Sequence, residues 1–197
     1  MRRNVKGTIV DEWEAIRAPP PPDLKEVAIE ANETALMILD IQNQNCNYER
    51  RPRCVSSIPK IESLLGNVRA HGMLVIYSLT RNAALSDIRE EVAPLGDEPT
   101  VKSGSDKFFN TSLESILANN GIKTLILVGT SAHGAVLNTA MDAALRNFRV
   151  IVPVDGISAT EPYAEQYTIW HLSNAPGCKG RVTLTRVDLI QFQESPC

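Results

Sequence analysis

The chain has 197 residues, of which 43% are hydrophobic and 22% charged, the balance of a single soluble globular domain. Its net charge of −3, from 20 basic and 23 acidic residues spread along the sequence, provides no basic patch for a phosphate backbone. We therefore expect a small-molecule substrate and no nucleic-acid partner. No apolar run approaches the roughly 20 residues of a membrane span, and Arg2 and Arg3 are not followed by a signal-peptide run. These features predict a cytoplasmic protein without membrane contact.

The cysteines are few and show no informative spacing. Four in this length are too sparse for a disulfide scaffold, and none forms the Cys-x-x-Cys pair used for zinc or redox chemistry. The count permits a catalytic thiol but does not locate one. The four are Cys46, Cys54, Cys178 and Cys197.

The first 33 residues are predicted to form an arm, separate in character from a single domain over residues 34–197. Four consecutive prolines, Pro19 to Pro22, fix φ and remove four backbone donors, which favours an extended polyproline segment. Such an arm would wrap either the domain or a partner subunit.

After the arm, short apolar runs alternate with amphipathic stretches. Each run is apolar on both faces, as in a central parallel strand, and the stretches between have helical periodicity. This alternation predicts a three-layer α/β/α domain around a mainly parallel, doubly wound sheet of about six strands. The predicted strands lie at 35–39, 73–79, 124–128, 149–154 and, last, 182–190, with a further candidate for a short strand at 101–102. The helical stretches lie at 58–68, 113–117 and 136–144.

Ligands of such sheets bind beyond the carboxyl ends of the strands. There the sequence places Asp40 to Gln42, Thr80 and Arg81, and the loop from Gly129 to Ala135. That loop runs directly into a helix, whose first N–H groups are free to hold an anion or an oxyanion. A carboxylate such as Asp40 at a strand end is a helix cap, a salt-bridge partner or a reactive group.

Three motifs in this order resemble those of the isochorismatase-like superfamily, also called the cysteine hydrolases, which includes nicotinamidases, carbamoylsarcosine amidohydrolases and isochorismatases. The first is a strand ending in Asp-x-Gln, here Asp40 to Gln42. The second runs nine positions from a lysine to a threonine, here Lys102 to Thr111, with Phe108 between them. The third is a Gly-rich turn and helix, here Gly129 to Ala143. The resemblance covers residues 34–190 and implies the isochorismatase-like hydrolase fold.

The catalytic triad of that superfamily is Asp, Lys and Cys. The resemblance places the aspartate at Asp40 and the lysine at Lys102, but the position of the cysteine is occupied by Ala135. An alanine methyl group has no lone pair with which to attack a carbonyl carbon. Hydrolysis of an amide through a thioester is therefore unavailable to this chain.

Three functions remain open at this point. The isochorismatases of the superfamily also lack the cysteine, and hydrolysis of a vinyl ether such as isochorismate needs only an acid, here Asp40 with Lys102. The chain could instead be an amidohydrolase of the nicotinamidase or carbamoyl-amide type whose cysteine has been replaced by Ala135. The third possibility is a relative that binds a ligand without turning it over.

The resemblance implies further roles at the same site. The backbone N–H groups of Ser131 and Ala135 would form an oxyanion cradle, with a cis peptide bond between Thr130 and Ser131. The expected substrate-binding side chains are Gln42, Arg81, Phe108 and His133. No metal or cofactor is expected, because the histidines of the metal-binding members are missing after Asp40.

Assembly is expected from the same resemblance, as a homodimer or homotetramer. The proline arm and the helix containing Trp170 are the predicted contacts. The charged segment between Cys46 and Cys54 is either a lid over the site or a further subunit contact.

Overall fold

The computed structural model of the protein describes residues 7–193. Five α-helices and nine strands are assigned within this range, joined by short 3₁₀ turns. No helix in this range is long and apolar enough to cross a membrane. The strands are β1 Val27–Ile29, β2 Thr34–Leu39, β3 Leu74–Thr80, β4 Thr100–Ser103, β5 Thr124–Thr130, β6 Arg149–Pro153, β7 Ile157–Ser158, β8 Val182–Thr185 and β9 Ile190–Phe192. The helices are α1 Ile9–Glu12, α2 Pro52–Ala70, α3 Leu113–Asn119, α4 Leu137–Leu145 and α5 Pro162–Asn174.

The central sheet has seven strands, in the order β4-β3-β2-β5-β6-β8, with β7 paired to the end of β5. Every pair of strands in it is parallel. The sequence predicted about six strands, and β7 accounts for the difference because its two residues are too short to give a hydrophobic pattern. The predicted three-layer α/β/α architecture is confirmed.

Strand β2 shows why the sheet is covered on both faces. All six of its residues are buried. Leu36 and Ile38 pack in the cluster that contains α2, whereas Met37 and Leu39 pack in the cluster that contains α3, α4 and α5. Successive side chains of a strand point to opposite faces, so a strand between two helical layers is apolar at every position.

The predicted strand over 182–190 is divided in the structure. β8 closes the central sheet, a 3₁₀ turn follows, and β9 pairs with β1 in a separate two-stranded sheet. The turn is fixed by Asp155, whose Oδ1 accepts the N–H of Val187 at 2.9 Å. The expectation of one continuous strand was therefore wrong, and the arm of residues 1–33 contributes a strand of its own.

The proline segment of the arm lies against α5 of the same chain. Pro19 to Pro22 line a shallow groove with Ile169 and Trp170 of that helix. Towards the N-terminus, Val10 and Trp13 remain 81% and 68% exposed. The arm therefore wraps its own domain near α5 and exposes apolar side chains beyond it.

Candidate active site

A cavity of about 230 Å³ opens at the carboxyl ends of β2, β3 and β5, three neighbouring strands of the sheet. Its position agrees with the edge that parallel topology favours for ligands. It is lined by Asp40, Asn45, Arg50, Arg51, Thr80, Gly104, Ser105, Thr130, Ser131, Gly134 and Ala135.

Asp40 is the one carboxylate in this lining. It directly follows β2, adopts a positive φ of 51° and is 5% exposed. Ser78 Oγ donates to Oδ1 at 2.8 Å, and Lys107 Nζ donates to Oδ2 at 2.8 Å. Burial raises the pKa of Asp40 above its ordinary value, against the opposing effects of Lys107, Ser78 and Arg51. The site therefore contains a carboxyl group that is tuned towards holding a proton.

Lys107 is fully buried and held from three sides. Its Nζ donates to Asp40 and, at 2.7 Å, to the carbonyl of Gly104. Its backbone N–H donates to Thr139 Oγ1, and its carbonyl accepts from Thr111 Oγ1 at 2.6 Å. A buried ammonium needs such partners, because charge without compensation is costly in a protein interior. Lys107 thus fixes the carboxylate in one orientation.

The structure corrects the assignment of the lysine, because Lys107 and not Lys102 meets Asp40. In β4 the side chains of Val101 and Ser103 point inward, so alternation places Lys102 on the exposed side. The chain then turns back at Gly104, and the loop carries Lys107 under the sheet edge. The signal available in the sequence was that Lys107 directly precedes Phe108, which is buried in the core.

The turn after β5 requires a glycine at its first position. Gly129 has φ 124°, and a Cβ there would lie 2.1 Å from the carbonyl oxygen of Leu39. The peptide bond between Thr130 and Ser131 is cis, as the resemblance implied. A π-helical turn over Ala132–Val136 follows and leads into α4, which brings Ser131 and Ala135 into the cavity wall. Ser131 and Ala135 thus line the same cavity as Asp40.

Gln42 supports the cavity wall from behind and is not in the lining. It is 1% exposed, and its Oε1 accepts from Asn45 Nδ2 at 3.1 Å and from Thr80 Oγ1 at 3.0 Å. Both donors line the cavity. Gln42 therefore orients two wall residues, whereas the sequence predicted direct contact with substrate.

The three other predicted substrate-binding residues lie outside the lining. Phe108 is buried in the core, 5.9 Å from the ring of Phe148, which corrects its assignment to the pocket. His133 is exposed beside the π-helical turn. Arg81 is also exposed, and its guanidinium lies against Gly104 at the rim.

The segment between Cys46 and Cys54, for which the sequence left open a lid or a subunit contact, contributes to the cavity. The two cysteines form a disulfide across eight positions, a pairing that the sequence did not predict. Arg50 and Arg51 of this segment, and Asn45 directly before it, line the cavity together with Ala135. The cluster of basic residues between two cysteines was the available signal, but no residue spacing indicated that it folds over the strand ends.

Chemistry at the cavity is restricted by what lines it. Within residues 7–193, the free cysteine is Cys178, which is buried away from the cavity, and no group of His, Cys, Asp or Glu has the arrangement of a metal site. The described cavity offers one carboxyl group, its lysine partner, two arginines and hydroxyl and backbone groups. Such a set supports proton transfer and anion binding.

A parallel three-layer α/β/α domain with an Asp–Lys pair at the strand ends and a cis turn beside it defines the class as an isochorismatase-like hydrolase fold. The Isochorismatase domain family model matches residues 34–185, and the chain belongs to this family. Members of the family are hydrolases.

Individual relatives differ in the reactions that their names describe. The secreted isochorismatase effector Isc1 of Verticillium dahliae is 30% identical over 137 residues, 64% of this chain and 72% of that protein. The N-carbamoylsarcosine amidase of an Arthrobacter species is 32% identical over 101 residues, 51% of this chain and 38% of that protein. The chain thus spans well under half of the amidase.

A solved structure extends the similarity to almost the whole fold. An isochorismatase from Pseudomonas putida KT2440 superposes with a TM-score of 0.72 at 17% identity, over 95% of this chain and all of that one. At this identity the match establishes the fold alone.

Proposed function

We propose that the protein hydrolyses an enol ether, with isochorismate as the leading substrate, and that Asp40 is the general acid. The observation that carries this proposal is the buried Asp40–Lys107 pair in a cavity whose nucleophile position is the methyl group of Ala135. Enol-ether hydrolysis needs a proton donor and water, and both are compatible with this lining.

The proposed reaction balances as follows. The carboxyl O–H of Asp40 protonates the terminal methylene carbon of the enol ether, which forms a C–H bond and an oxocarbenium ion. Water adds to that ion, and the Asp40 carboxylate takes up the proton that the water loses. The hemiketal collapses to a ketone and an alcohol, which for isochorismate are pyruvate and a cyclic diol.

Lys107 has a positioning role in this proposal. Its ammonium group stabilises the carboxylate that forms when Asp40 gives up its proton, and it orients Oδ2 through a 2.8 Å hydrogen bond. The raised pKa of Asp40 keeps part of the carboxyl population protonated closer to neutral pH. Burial thus raises the pKa of Asp40, whereas the ion pair with Lys107 lowers it.

The residues that line the cavity do not support the hypothesis that the protein is an amidase. A thioester requires a sulfur atom near Asp40, and Cys178 is not among the residues that line this cavity. The names of individual relatives include both amidases and isochorismatases, so the choice between them depends on this chain's own residues.

The test follows pyruvate release from isochorismate by the parent protein and by Asp40→Asn. We expect turnover by the parent and a loss of about 100-fold or more in the variant, the range for removal of a general acid. Lys107→Met should lose activity similarly, whereas Lys102→Met, its exposed counterpart, should remain within about twofold of the parent. A parent no faster than Asp40→Asn would refute the proposal.

The proposal also includes the cellular compartment and the oligomeric state of the protein. The sequence predicts a cytoplasmic homodimer or homotetramer, but the Cys46–Cys54 disulfide is of a kind that persists in oxidising compartments. Trapping the thiols of the native protein in cells distinguishes the two locations. A fully reduced pair would support the cytoplasmic prediction.

A further inference from the structure

The lining of the cavity contains positive charge in addition to the Asp40–Lys107 pair. The Asp40–Lys107 pair carries no net negative charge in either protonation state of Asp40, and the guanidinium groups of Arg50 and Arg51 remain in the lining. Asp40 is the single acidic residue there. The described cavity wall is therefore net positive.

Arg51 differs in burial from the other described arginines that have no carboxylate partner, which are all exposed: Arg17, Arg50, Arg81, Arg149 and Arg181. It is half-buried, and its Nε donates to Thr160 Oγ1 at 3.4 Å. Among the residues that the structure describes, no carboxylate pairs with Arg50 or Arg51. By contrast, the neighbouring Arg53 pairs with Glu165, and other arginines pair with acids as well: Arg69 with Glu98, Arg89 with Glu91, Arg146 with Glu114 and Arg186 with Asp188.

A desolvated guanidinium without an anion is unfavourable. Burial and the adjacent charge of Arg50 lower the pKa of Arg51, while Asp40 raises it. Arg51 and Asp40 are therefore within electrostatic reach of each other across the cavity. An anionic group bound beside the guanidinium groups of Arg50 and Arg51 would relieve the repulsion between these two arginines.

The segment that carries these arginines is fixed before any ligand arrives. Cys46 and Cys54 tie its ends together, and Cys54 lies in the first turn of α2. Asn47 accepts the N–H of Arg50 through its side chain and the N–H of Arg51 through its carbonyl, both at 2.8 Å. The backbone that carries the two guanidinium groups therefore loses little conformational freedom on binding.

We infer that Arg51, with Arg50 beside it, is the specificity-determining carboxylate receptor of this cavity, and that the protein selects substrates bearing a carboxylate close to the reacting carbon. The planar guanidinium matches a carboxylate with two parallel hydrogen bonds. This inference deepens the proposed function and rests on it for the location of the substrate. It assigns the disulfide-closed segment a recognition role, where the sequence left open a lid or a subunit contact.

The experiment measures binding and not turnover, so that it remains independent of the reaction. Benzoate and benzamide have the same ring and differ in charge, and their affinities for the full-length protein are measured by calorimetry. We expect benzoate to bind the parent more tightly than benzamide does. Arg51→Gln should weaken benzoate about tenfold or more and leave benzamide unchanged.

Two further variants separate recognition from general effects. Arg53→Gln removes a positive charge from the same segment but outside the cavity, and it should bind benzoate like the parent. Arg51→Lys keeps the charge without the fork and should fall between the parent and Arg51→Gln. Thermal unfolding of each variant verifies that it is folded.

The outcomes of these measurements distinguish the inference about Arg51 from the proposed reaction. Equal affinity of the parent and Arg51→Gln for benzoate, no preference for benzoate over benzamide, or no benzoate binding at all would overturn the inference. Benzoate binding that depends on Arg51, in a protein that releases no pyruvate from isochorismate, would leave the inference standing and refute the proposed reaction.

Discussion

At the scale of single residues, the site is governed by the balance of charge around one carboxyl group. Asp40 is approached by Lys107 from the loop after β4, by Ser78 from β3 and by the charge of Arg51 from the start of α2. All three favour the ionised form, and burial outweighs them, so that the pKa of Asp40 is raised. The proton affinity of this group is thus a property of its surroundings.

The role of Asp40 as a general acid predicts the direction in which activity changes with pH. A general acid reacts in its protonated form, so kcat/KM should be constant below the pKa of Asp40 and fall about tenfold per pH unit above it. The rate of pyruvate release between pH 4 and about pH 9 measures this profile. Activity that rises with pH over the same range would mean that Asp40 acts as a base.

The residues also show what spacing in the sequence could and could not determine. Asp40 was found because it ends an apolar strand, a position that fixes both its burial and its edge of the sheet. The lysine was misassigned because Lys102 and Lys107 lie on the same short stretch. Only the path of the loop through Gly104 decides which of them reaches the carboxylate.

At the scale of elements, the segment between Cys46 and Cys54 connects the disulfide to the binding wall. The disulfide is buried, and Arg89 Nη1 donates to the carbonyl of Cys46 at 2.9 Å, which ties the segment to the loop after β3. The two arginines of the cavity therefore depend on a covalent closure that lies outside the cavity lining.

Removal of this closure should lower stability by a predictable amount. For Cys46→Ala/Cys54→Ala, we expect a loss of about 2 to 3 kcal/mol in the free energy of unfolding, because a short loop is released in the unfolded chain. Urea unfolding measures the loss. Refolding in reductant should bring the parent down to the level of the double variant and leave the variant unchanged. A parent that is insensitive to reductant after refolding would contradict the expectation.

At the scale of the whole molecule, apolar side chains are concentrated on the N-terminal arm and on α5. Trp13 and Trp170 are 68% and 46% exposed, and Tyr163 and Tyr167 of α5 are exposed as well. Exposed aromatic side chains of this size are common at protein–protein contacts. We therefore propose that the arm and α5 form the subunit contact.

The expected assembly is open to direct measurement. We expect sedimentation of the full chain to show a dimer or tetramer, and Trp170→Glu to shift it towards the monomer, because a buried carboxylate would face the partner. Leu85→Glu changes an exposed leucine outside both segments and should sediment like the parent. A parent that is monomeric at micromolar concentration, or a Trp170→Glu variant that remains assembled, would contradict this expectation.

The sequence by itself determined the layers, the parallel sheet, the edge that carries the site and the family. These properties follow from local patterns: runs apolar on both faces, helical periodicity between them, and three motifs in a fixed order. The tertiary structure alone decided which lysine meets Asp40, that Phe108 belongs to the core, that residues 182–190 are shared between two sheets, and that Arg51 faces the cavity. Each of these depends on how a loop returns to the sheet, which is a matter of contacts between residues distant in sequence and leaves no periodic signal.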